Sequence, residues 1–160
     1  MFHRIRKNRA FSLIELVVVL VIIGVIAAIA IPRMSRGANN AGGVALRGDL
    51  QVLRSAIELY RAEHEGRLPT LASFVDQMTK YTKIDGTDAN DAFDAATGRI
   101  YGPYLTEIPT LPVGTNKGLS AVEAAQSATS GWVYDASTGK VIAGSPDADT
   151  DQDGTKYNAY

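Results

Sequence analysis

The sequence predicts an α+β protein in which a long N-terminal α-helix packs on a small antiparallel β-sheet. Three patterns predict this fold: a nearly uninterrupted apolar run at residues 11–31, an apolar stripe at residues 46–60, and two alternating segments at residues 132–143. The run is too long for a strand, and the stripe repeats every three or four residues. The two segments alternate with period two around a turn, which is typical of a hairpin.

Composition limits the size of the domain and the class of its partners. The chain has 160 residues, of which 46% are hydrophobic, and much of this content lies near the N-terminus. The first ten residues hold four of the sixteen Lys and Arg and no acid, so residues 11–160 carry 12 basic and 17 acidic side chains, a net of −5. The sequence has no strongly basic patch of the kind that binds nucleic acid, so no nucleic acid is expected as a partner. With no cysteine in the sequence, no disulfide holds the loops.

The apolar run FSLIELVVVLVIIGVIAAIAI, residues 11–31, predicts a membrane-spanning half-helix. At 1.5 Å per residue it would be about 31 Å long, which is close to the hydrocarbon thickness of a bilayer. Lys and Arg flanking a span stay in the cytoplasm, so the basic leader at residues 1–10 is expected inside and the C-terminal domain outside. One charge, Glu15, lies in the run, although a carboxylate costs about 2.5–3.5 kcal/mol at the bilayer centre.

Three interpretations of this N-terminus are open on the residues alone. A secretory signal peptide would use the small residues of Ala28-Ile29-Ala30 and release a soluble chain that begins at Ile31. An uncleaved single-pass anchor would keep the whole run in the membrane. A third interpretation rests on the order of the residues from Ala10 to Glu15, which is AFSLIE.

The segment AFSLIE closely resembles the prepilin processing signature of the type IV filament superfamily, which comprises type IV pilins and the pseudopilins of type II secretion. The resemblance implies a pilin-like fold, cleavage of the Ala10–Phe11 bond by a prepilin peptidase, and N-methylation of the new terminus at Phe11. The family usually has Gly before the cut, where this chain has Ala10. Pro32 resembles the proline that follows the apolar run in pilins.

Glu15 has a physical role in such a filament. Cleavage would create an ammonium group at Phe11, and Glu15, four residues later, lies on the same helix face. The carboxylate could pair within its chain or with the Phe11 ammonium of a neighbouring subunit, because an unpaired charge in a low-dielectric bundle is strongly unfavourable. The expected assembly residues are therefore Phe11, Glu15 and Pro32. The alternative is that Glu15 is only a polar residue near the membrane interface.

Residues 32–66 predict an amphipathic continuation of the N-terminal helix. Pro32 lacks an N–H and kinks or opens a helix. The Gly/Asn-rich residues 37–43 favour either a loosened helix or a flexible linker, and both remain open. The helical pattern then returns as one apolar stripe that should pack on the sheet, with Gly66 as its stop, and the stripe consists of Leu46, Leu50, Leu53, Ile57 and Tyr60.

Residues 67–146 predict a globular α+β head. We expect Thr70 to cap a helix at residues 71–81, followed by a polar loop at 82–101, a second short helix at 119–129 and a hairpin. The hairpin joins Trp132-Val133-Tyr134 to Lys140-Val141-Ile142-Ala143 through a turn at residues 135–139. Its core-facing residues are predicted to be Val133, Val141 and Ala143, with Trp132 at the rim.

The segment Gly102-Pro103-Tyr104-Leu105, with Leu111-Pro112 beyond it, resembles the GPYL…LP segment of the major pseudopilin of type II secretion. There the segment is a turn and an extended strip across the helix. The resemblance implies the same path here. The family usually follows it with a D-P-W-G-type turn, and this chain has Val113-Gly114-Thr115-Asn116 instead.

The acidic tail at residues 147–160 suggests a cation site. Asp149-x-Asp151-x-Asp153-Gly154 matches the opening of a calcium loop, in which alternating carboxylates converge on one hard cation. The twelfth position of such a loop, normally Glu, is Tyr160 here. Calcium held by Asp149, Asp151 and Asp153 is thus a hypothesis. The resemblance implies calcium near this end, because major pseudopilins bind it there, but their ligands do not align with these Asp residues. The alternative is a solvated acidic tail.

Catalysis is not expected. The chain has two histidines, His3 in the leader and His64 at the end of the stripe, and it lacks a nucleophile triad, a phosphate loop and a zinc spacing. The resemblance instead implies a structural subunit of a type IV-like filament, most like the major pseudopilin of a type II secretion system. The alternatives are a type IV pilus subunit for adhesion, motility or DNA uptake, and a monomeric membrane-anchored calcium-binding module.

The resemblance also implies partners and a place in the cell. The subunit would polymerise with copies of itself and would meet a prepilin peptidase, minor pseudopilins and an inner-membrane assembly platform. Before assembly it would cross the inner membrane once, with the leader in the cytoplasm and the head in the periplasm. Afterwards it would belong to a periplasmic or surface filament.

Overall fold

The structure, a computed structural model, describes the backbone of residues 13–160 and the side chains of residues 13–28 and 41–160. The chain divides into two compact units, Met1–Ala38 and Asn39–Tyr160. The predicted leader and the predicted cleavage bond lie outside the described residues. The fold class is confirmed, because the chain combines an N-terminal helix with shorter helices and a small sheet.

Helix α1 spans Leu13–Glu63. In the described backbone it continues through residues 37–43, so the predicted interruption by Gly and Asn is not seen. The side chain of Pro32 lies outside the described residues. Within the part of the chain that the structure describes, no helix combines the length and the apolar content that a membrane crossing requires.

In the second unit, α1 buries the apolar stripe that the sequence predicts. Its five members are each 1% exposed or less, and they are Leu46, Leu50, Leu53, Ile57 and Tyr60. Burying a side chain of this size stabilises a fold by about 1.5–3 kcal/mol relative to leaving it in water. The helical spacing therefore identified the face of α1 on which the head is built.

The C-terminus of α1 is closed as predicted by a left-handed turn at Gly66. The N–H of Gly66 donates to the carbonyl of Arg61 at 2.8 Å, and the N–H of His64 donates to the carbonyl of Tyr60 at 2.9 Å. Both Glu65 (φ 57°) and Gly66 (φ 82°) adopt positive φ. These bonds satisfy carbonyls that the last turn of a helix leaves without partners.

The helix predicted at residues 71–81 is shorter and begins differently. A 3₁₀ turn at Leu71–Ser73 leads into α2 at Phe74–Thr79. Thr70 makes no capping bond. Its N–H and hydroxyl instead donate to Oε1 of the buried Gln77, at 2.8 and 3.4 Å. The helix ends early because the backbone of Tyr81 pairs with Asn90, at 2.9 Å in both directions.

The sheet has three strands in the order β1 (Val122–Glu123), β2 (Trp132–Asp135) and β3 (Lys140–Ala143). The β2–β3 hairpin is antiparallel, as predicted, but β1 pairs with β2 in parallel, so the sheet is mixed.

Strand β1 replaces part of the helix predicted at residues 119–129, and that prediction is wrong. The carboxylate of Glu123 accepts hydrogen bonds from the hydroxyls of Ser127 (2.7 Å) and Thr129 (2.8 Å). Such local side-chain bonds favour a turn over a helix.

In strand β2, the residue predicted to face the core, Val133, does not face it, and its two neighbours do. Trp132 and Tyr134 are at most 1% exposed, and they lie opposite Ala143 and Val141 on the buried face. Val133 lies on the other face and is half-buried. The placement of Trp132 at the rim is also wrong: burial of its large ring decides the register, and its Nε1 donates to the carbonyl of Pro109 at 2.7 Å.

The segment around Tyr104 takes the extended path that the resemblance implies. The N–H groups of Tyr104 and Leu105 both donate to the carbonyl of Met78, each at 2.9 Å. The ring of Tyr104 lies edge-on to Tyr60 of α1, with centroids 5.6 Å apart. Beyond it, buried apolar side chains join the core that the α1 stripe forms, and they are Leu105, Ile108, Leu111 and Val113.

Candidate functional site

The first candidate region is the described start of α1. Glu15 lies in the first helical turn and is exposed. Its apolar neighbours are exposed too: Leu13 is 80%, Ile14 is 70% and Leu16 is 56% exposed. Ala10 and Phe11, the predicted processing residues, lie outside the described residues, so their predicted roles stay predictions.

The described start of α1 has the properties of a surface that another subunit could bury. An exposed run of large apolar side chains favours burial against another apolar surface. A carboxylate in the first turn is stabilised by the helix dipole, by about 0.3–1 kcal/mol. Burying the run without a partner for Glu15 would leave a desolvated charge, so burial is favoured when a positively charged group pairs with the carboxylate.

The second candidate region is the acidic tail, which is packed onto the head. Tyr157 is 7% exposed and belongs to the core. The ring of Tyr160 lies beneath the guanidinium of Arg47, 4.4 Å from its centroid. Arg54 donates to the main-chain oxygen of Tyr160 at 2.7 Å and to the carbonyl of Val141 at 3.2 Å. Two arginines of α1 thus hold the tail.

Asp149 is tied to neighbouring loops. Its carboxylate accepts the N–H of Thr115 at 2.6 Å, the hydroxyl of Thr115 at 3.0 Å and the hydroxyl of Ser145 at 2.8 Å. Burial by itself would raise the pKa of Asp149. These hydrogen bonds together outweigh that effect, so the pKa lies below its usual value. The ionised carboxylate joins three segments of the head.

Asp151 organises the turn that follows. Its carboxylate accepts the hydroxyl of Tyr160 and the N–H groups of Asp153 (2.9 Å) and Thr155 (2.8 Å). The hydrogen bond from Tyr160 is the main cause that lowers the pKa of Asp151. Within the described residues, no group of three or more His, Asp or Glu side chains is placed to hold a metal ion.

Calcium at Asp149, Asp151 and Asp153 therefore stays a prediction. The oxygens of Asp149 and Asp151 already accept hydrogen bonds from protein donors, and a cation would have to displace some of them. Calcium takes six to eight oxygen ligands, more than these side chains alone supply.

His64 serves packing in the described head. It is fully buried and stacks on the ring of Tyr60, with centroids 3.7 Å apart. Its Nδ1 lies 2.8 Å from the carbonyl of Tyr60, and its Nε2 lies 2.9 Å from the hydroxyl of Thr82. Both ring nitrogens have structural partners.

Sequence reasoning missed the way that α1 holds the tail. The available signal was the spacing of Arg47 and Arg54, which are seven residues apart and so share one face of a helix. Tyr157 and Tyr160 form the matching pair on the tail, with ring centroids 6.2 Å apart. An acidic tail with two tyrosines is less typical of solvated chain than of a packed segment.

Comparison with known proteins agrees with the N-terminal resemblance. Residues 5–31 match the prokaryotic N-terminal methylation motif, which spans Ala10, Phe11 and Glu15. The chain therefore carries the processing motif of prepilin-type proteins, as the segment AFSLIE predicts. No solved structure matches this chain.

The curated relatives that the chain matches share one name. The chain is 26% identical over 111 residues to type II secretion system core protein G of Klebsiella pneumoniae, covering 69% of this chain and 73% of the relative. The protein of the same name from Escherichia coli is 27% identical over 110 residues, covering 69% and 70%. That of Pseudomonas aeruginosa is 30% identical over 59 residues, covering 37% and 42%. The motif and these relatives together support a pseudopilin subunit.

Proposed function

We propose that this chain is a structural subunit of a type IV-like filament and serves as the major pseudopilin of a type II secretion system. The N-terminal methylation motif at residues 5–31 carries the proposal. Similarity to the core protein G relatives supports the secretion system over a pilus. The exposed apolar start of α1 with its single carboxylate supplies a surface that a filament core would bury.

The proposed sequence of events begins with processing. A prepilin peptidase hydrolyses the Ala10–Phe11 bond, which frees a positively charged amino terminus at Phe11. The carboxylate of Glu15 pairs with such a terminus as apolar helices come together, so the charge is neutralised where water is excluded. Because the contact is head-to-tail and does not close, it propagates into a filament.

The proposal also implies where the subunit lies in the cell. Before assembly the subunit resides in the inner membrane with its leader in the cytoplasm and its head in the periplasm. Residues 11–31 span the bilayer and later form the filament core, and Pro32 kinks or opens the helix that follows them. Partners are further copies of the chain, the peptidase, minor pseudopilins and the inner-membrane platform. The subunit itself is not an enzyme.

Calcium binding by the tail is a separate proposal. A cation at Asp149, Asp151 and Asp153 would bring together three carboxylates that otherwise repel one another. Calorimetric titration of the full chain with calcium tests it, with Asp149→Asn as the variant that should lose binding. Heat of binding that is equal in the two proteins would contradict this ligand set.

The intact mass of the protein from its native membrane tests the processing step. A chain that begins at Phe11 and is ~14 Da heavier than its sequence mass is expected, because one methyl group is added. A chain that begins at Ile31 would indicate a signal peptide and would overturn the proposal. A chain that retains Met1 would leave the uncleaved anchor as the better interpretation. Imaging of cells would then distinguish a periplasmic filament from a surface pilus.

A further inference from the structure

The face of α1 that points away from the head carries exposed, uncharged side chains. They recur every three or four residues, so they lie on one side of the helix, opposite the buried stripe that begins at Leu46. The largest of them are well exposed: Val44 is 68%, and Val52 and Leu59 are each 50% exposed. We call this set the outward face, and it consists of Val44, Gly48, Val52, Ser55, Leu59 and Ala62.

A groove beside the outward face offers space for the side chains of a partner. Its volume is about 300 Å³, and α1 forms one wall while the segment that follows α2 forms the other. The α1 wall includes Val52, Ser55 and Leu59, and the opposite wall consists of Tyr104 and Leu105. The side chains that line the groove are uncharged, so a partner seated there would contact apolar and neutral polar groups.

Asp49 lies at the edge of the outward face, one helical turn before Val52, and is half-buried. Among the described residues, no hydrogen-bond donor and no cation contacts its carboxylate. Burial raises the pKa of Asp49. Other carboxylates without a partner in the described head, such as those of Glu107 and Asp153, are exposed to solvent. Asp49 is therefore partly desolvated without any compensating contact in its own chain.

The head also carries two lysines that lack an acidic partner among the described residues. They are Lys117, in the loop before β1, and Lys140, at the start of β3, and both are exposed. Each of the other three lysines in the described chain lies within 3.3 Å of an aspartate. One copy of the chain thus offers an unpaired acid beside an apolar face, and another copy offers unpaired bases. This charge complementarity favours self-association.

We infer that the outward face of α1 is the docking surface for a second copy of this chain, and that Asp49 pairs there with Lys117 or Lys140 of the second copy. The inference rests on the proposed function, since it assigns a contact between the subunits of a filament. The acid and the base lie on different patches of the chain, so the contact is head-to-tail and can repeat. Gly48 lets another backbone approach closely, while Val52 and Leu59 supply apolar area.

Thiol labelling of the full chain tests the docking surface. The sequence has no cysteine, so an introduced cysteine is the only thiol. Val52→Cys reports on the outward face, and Val75→Cys in α2 is the matched control, because Val75 is 49% exposed and Val52 is 50% exposed. Both should react alike with a maleimide in detergent-solubilised subunits. In filaments, Val52→Cys should react at least about tenfold more slowly, because thiol reactivity depends on access, and Val75→Cys should not change.

Asp49→Asn tests the charge pair, because it keeps the shape of the side chain and removes its charge. Detergent-solubilised subunits should melt no lower than the unmodified chain, since no contact within the chain is lost. The sedimentable filament fraction should fall at least about tenfold, because the lysine of the second copy loses its partner. The control is Asp91→Asn, which removes an exposed carboxylate and should change neither quantity.

Lysine variants identify the partner of Asp49. Either Lys117→Gln or Lys140→Gln should reproduce the filament loss of Asp49→Asn. Combining that variant with Asp49→Asn should add no further loss, because two residues of one pair are not additive. If both lysine variants assemble normally, the pairing is wrong.

The remaining outcomes separate this inference from the proposed function. If the unmodified chain forms no filament, the proposed function fails. If filaments form but Val52→Cys reacts as fast in them as in free subunits, the outward face is not the docking surface; Leu59→Cys replaces it as reporter should Val52→Cys prevent assembly. Normal filaments from Asp49→Asn, or a lower melting temperature of its subunits, would place the role of Asp49 within its own chain.

Discussion

Single residues in the head act through specific polar partners, and Asp135 at the start of the hairpin turn is the clearest case. Its carboxylate accepts the hydroxyls of Ser137 (2.6 Å) and Thr138 (2.7 Å) and the N–H of Ser137 (2.9 Å). The hydrogen bond from the Ser137 hydroxyl is the main cause that lowers the pKa of Asp135 to about 2. The turn is therefore organised by an ionised carboxylate.

We predict that Asp135→Asn reduces the acid sensitivity of the head. A carboxylate whose pKa is lower in the folded state contributes stability above its unfolded pKa, and this contribution is lost as the pH falls through the folded pKa. For Asp135 the window runs from about pH 4 down to about pH 2. Melting temperatures measured across this range should fall less steeply for the variant. Parallel curves would show that the carboxylate does not couple to folding.

At the scale of elements, the end of α1 depends on the left-handed backbone conformation of Gly66. We predict that Gly66→Ala lowers the free energy of unfolding by about 1–2 kcal/mol, because an L-residue with a side chain resists positive φ. Gly66 has φ 82°, and no atom lies within 4 Å of an added Cβ, so the effect would be conformational.

Gly48→Ala is the matched change of opposite sign. Gly48 lies within α1, with ordinary helical φ and open space around an added Cβ. Replacing Gly by Ala in a helix interior stabilises by roughly 1 kcal/mol. Urea unfolding of both variants checks the pair, and equal signs would contradict the proposed end of the helix.

The tail is attached to α1 through Arg54, whose guanidinium donates to main-chain oxygens of both β3 and the tail. We predict that Arg54→Ala lowers the free energy of unfolding by about 1–3 kcal/mol, because partly buried carbonyls lose a charged donor. Arg61→Ala is the control. Arg61 pairs at 3.7 Å with Glu58, and both side chains are more than half exposed, so its loss should cost under about 1 kcal/mol.

Chemical unfolding of the two arginine variants distinguishes these expectations. A second readout is hydrogen exchange of residues 157–160, which should quicken in Arg54→Ala and not in Arg61→Ala. If both variants unfold alike, the tail is held by Tyr157 packing and not by Arg54.

At the scale of the whole molecule, the elements that can be predicted from the sequence are those that a local pattern of residues determines. The α1 stripe was predictable because five apolar residues recur at helical spacing, and the hairpin because two alternating runs flank a Gly-containing turn. The methylation motif was predictable because its residue order is itself the signal.

Features decided by distant contacts were not predictable in this way. The register of β2 depends on where Trp132 finds space, and the turn at residues 123–130 depends on Glu123 meeting two hydroxyls. The tail contacts α1 through Arg54 and Tyr160, which are far apart in sequence. The side-chain amide of Asn116 donates to the carbonyls of Ser127 and Gly144, which lie in two other segments, and no local pattern marks these contacts.

We propose that Glu15 drives assembly and not membrane insertion. The most direct measurement is crosslinking of filaments in cells that express Glu15→Ala, with Glu58→Ala as the control for loss of an exposed α1 carboxylate. We predict that Glu15→Ala is processed and membrane-bound but yields no crosslinked ladder, while Glu58→Ala assembles normally. A ladder of normal length from Glu15→Ala would contradict this role of Glu15.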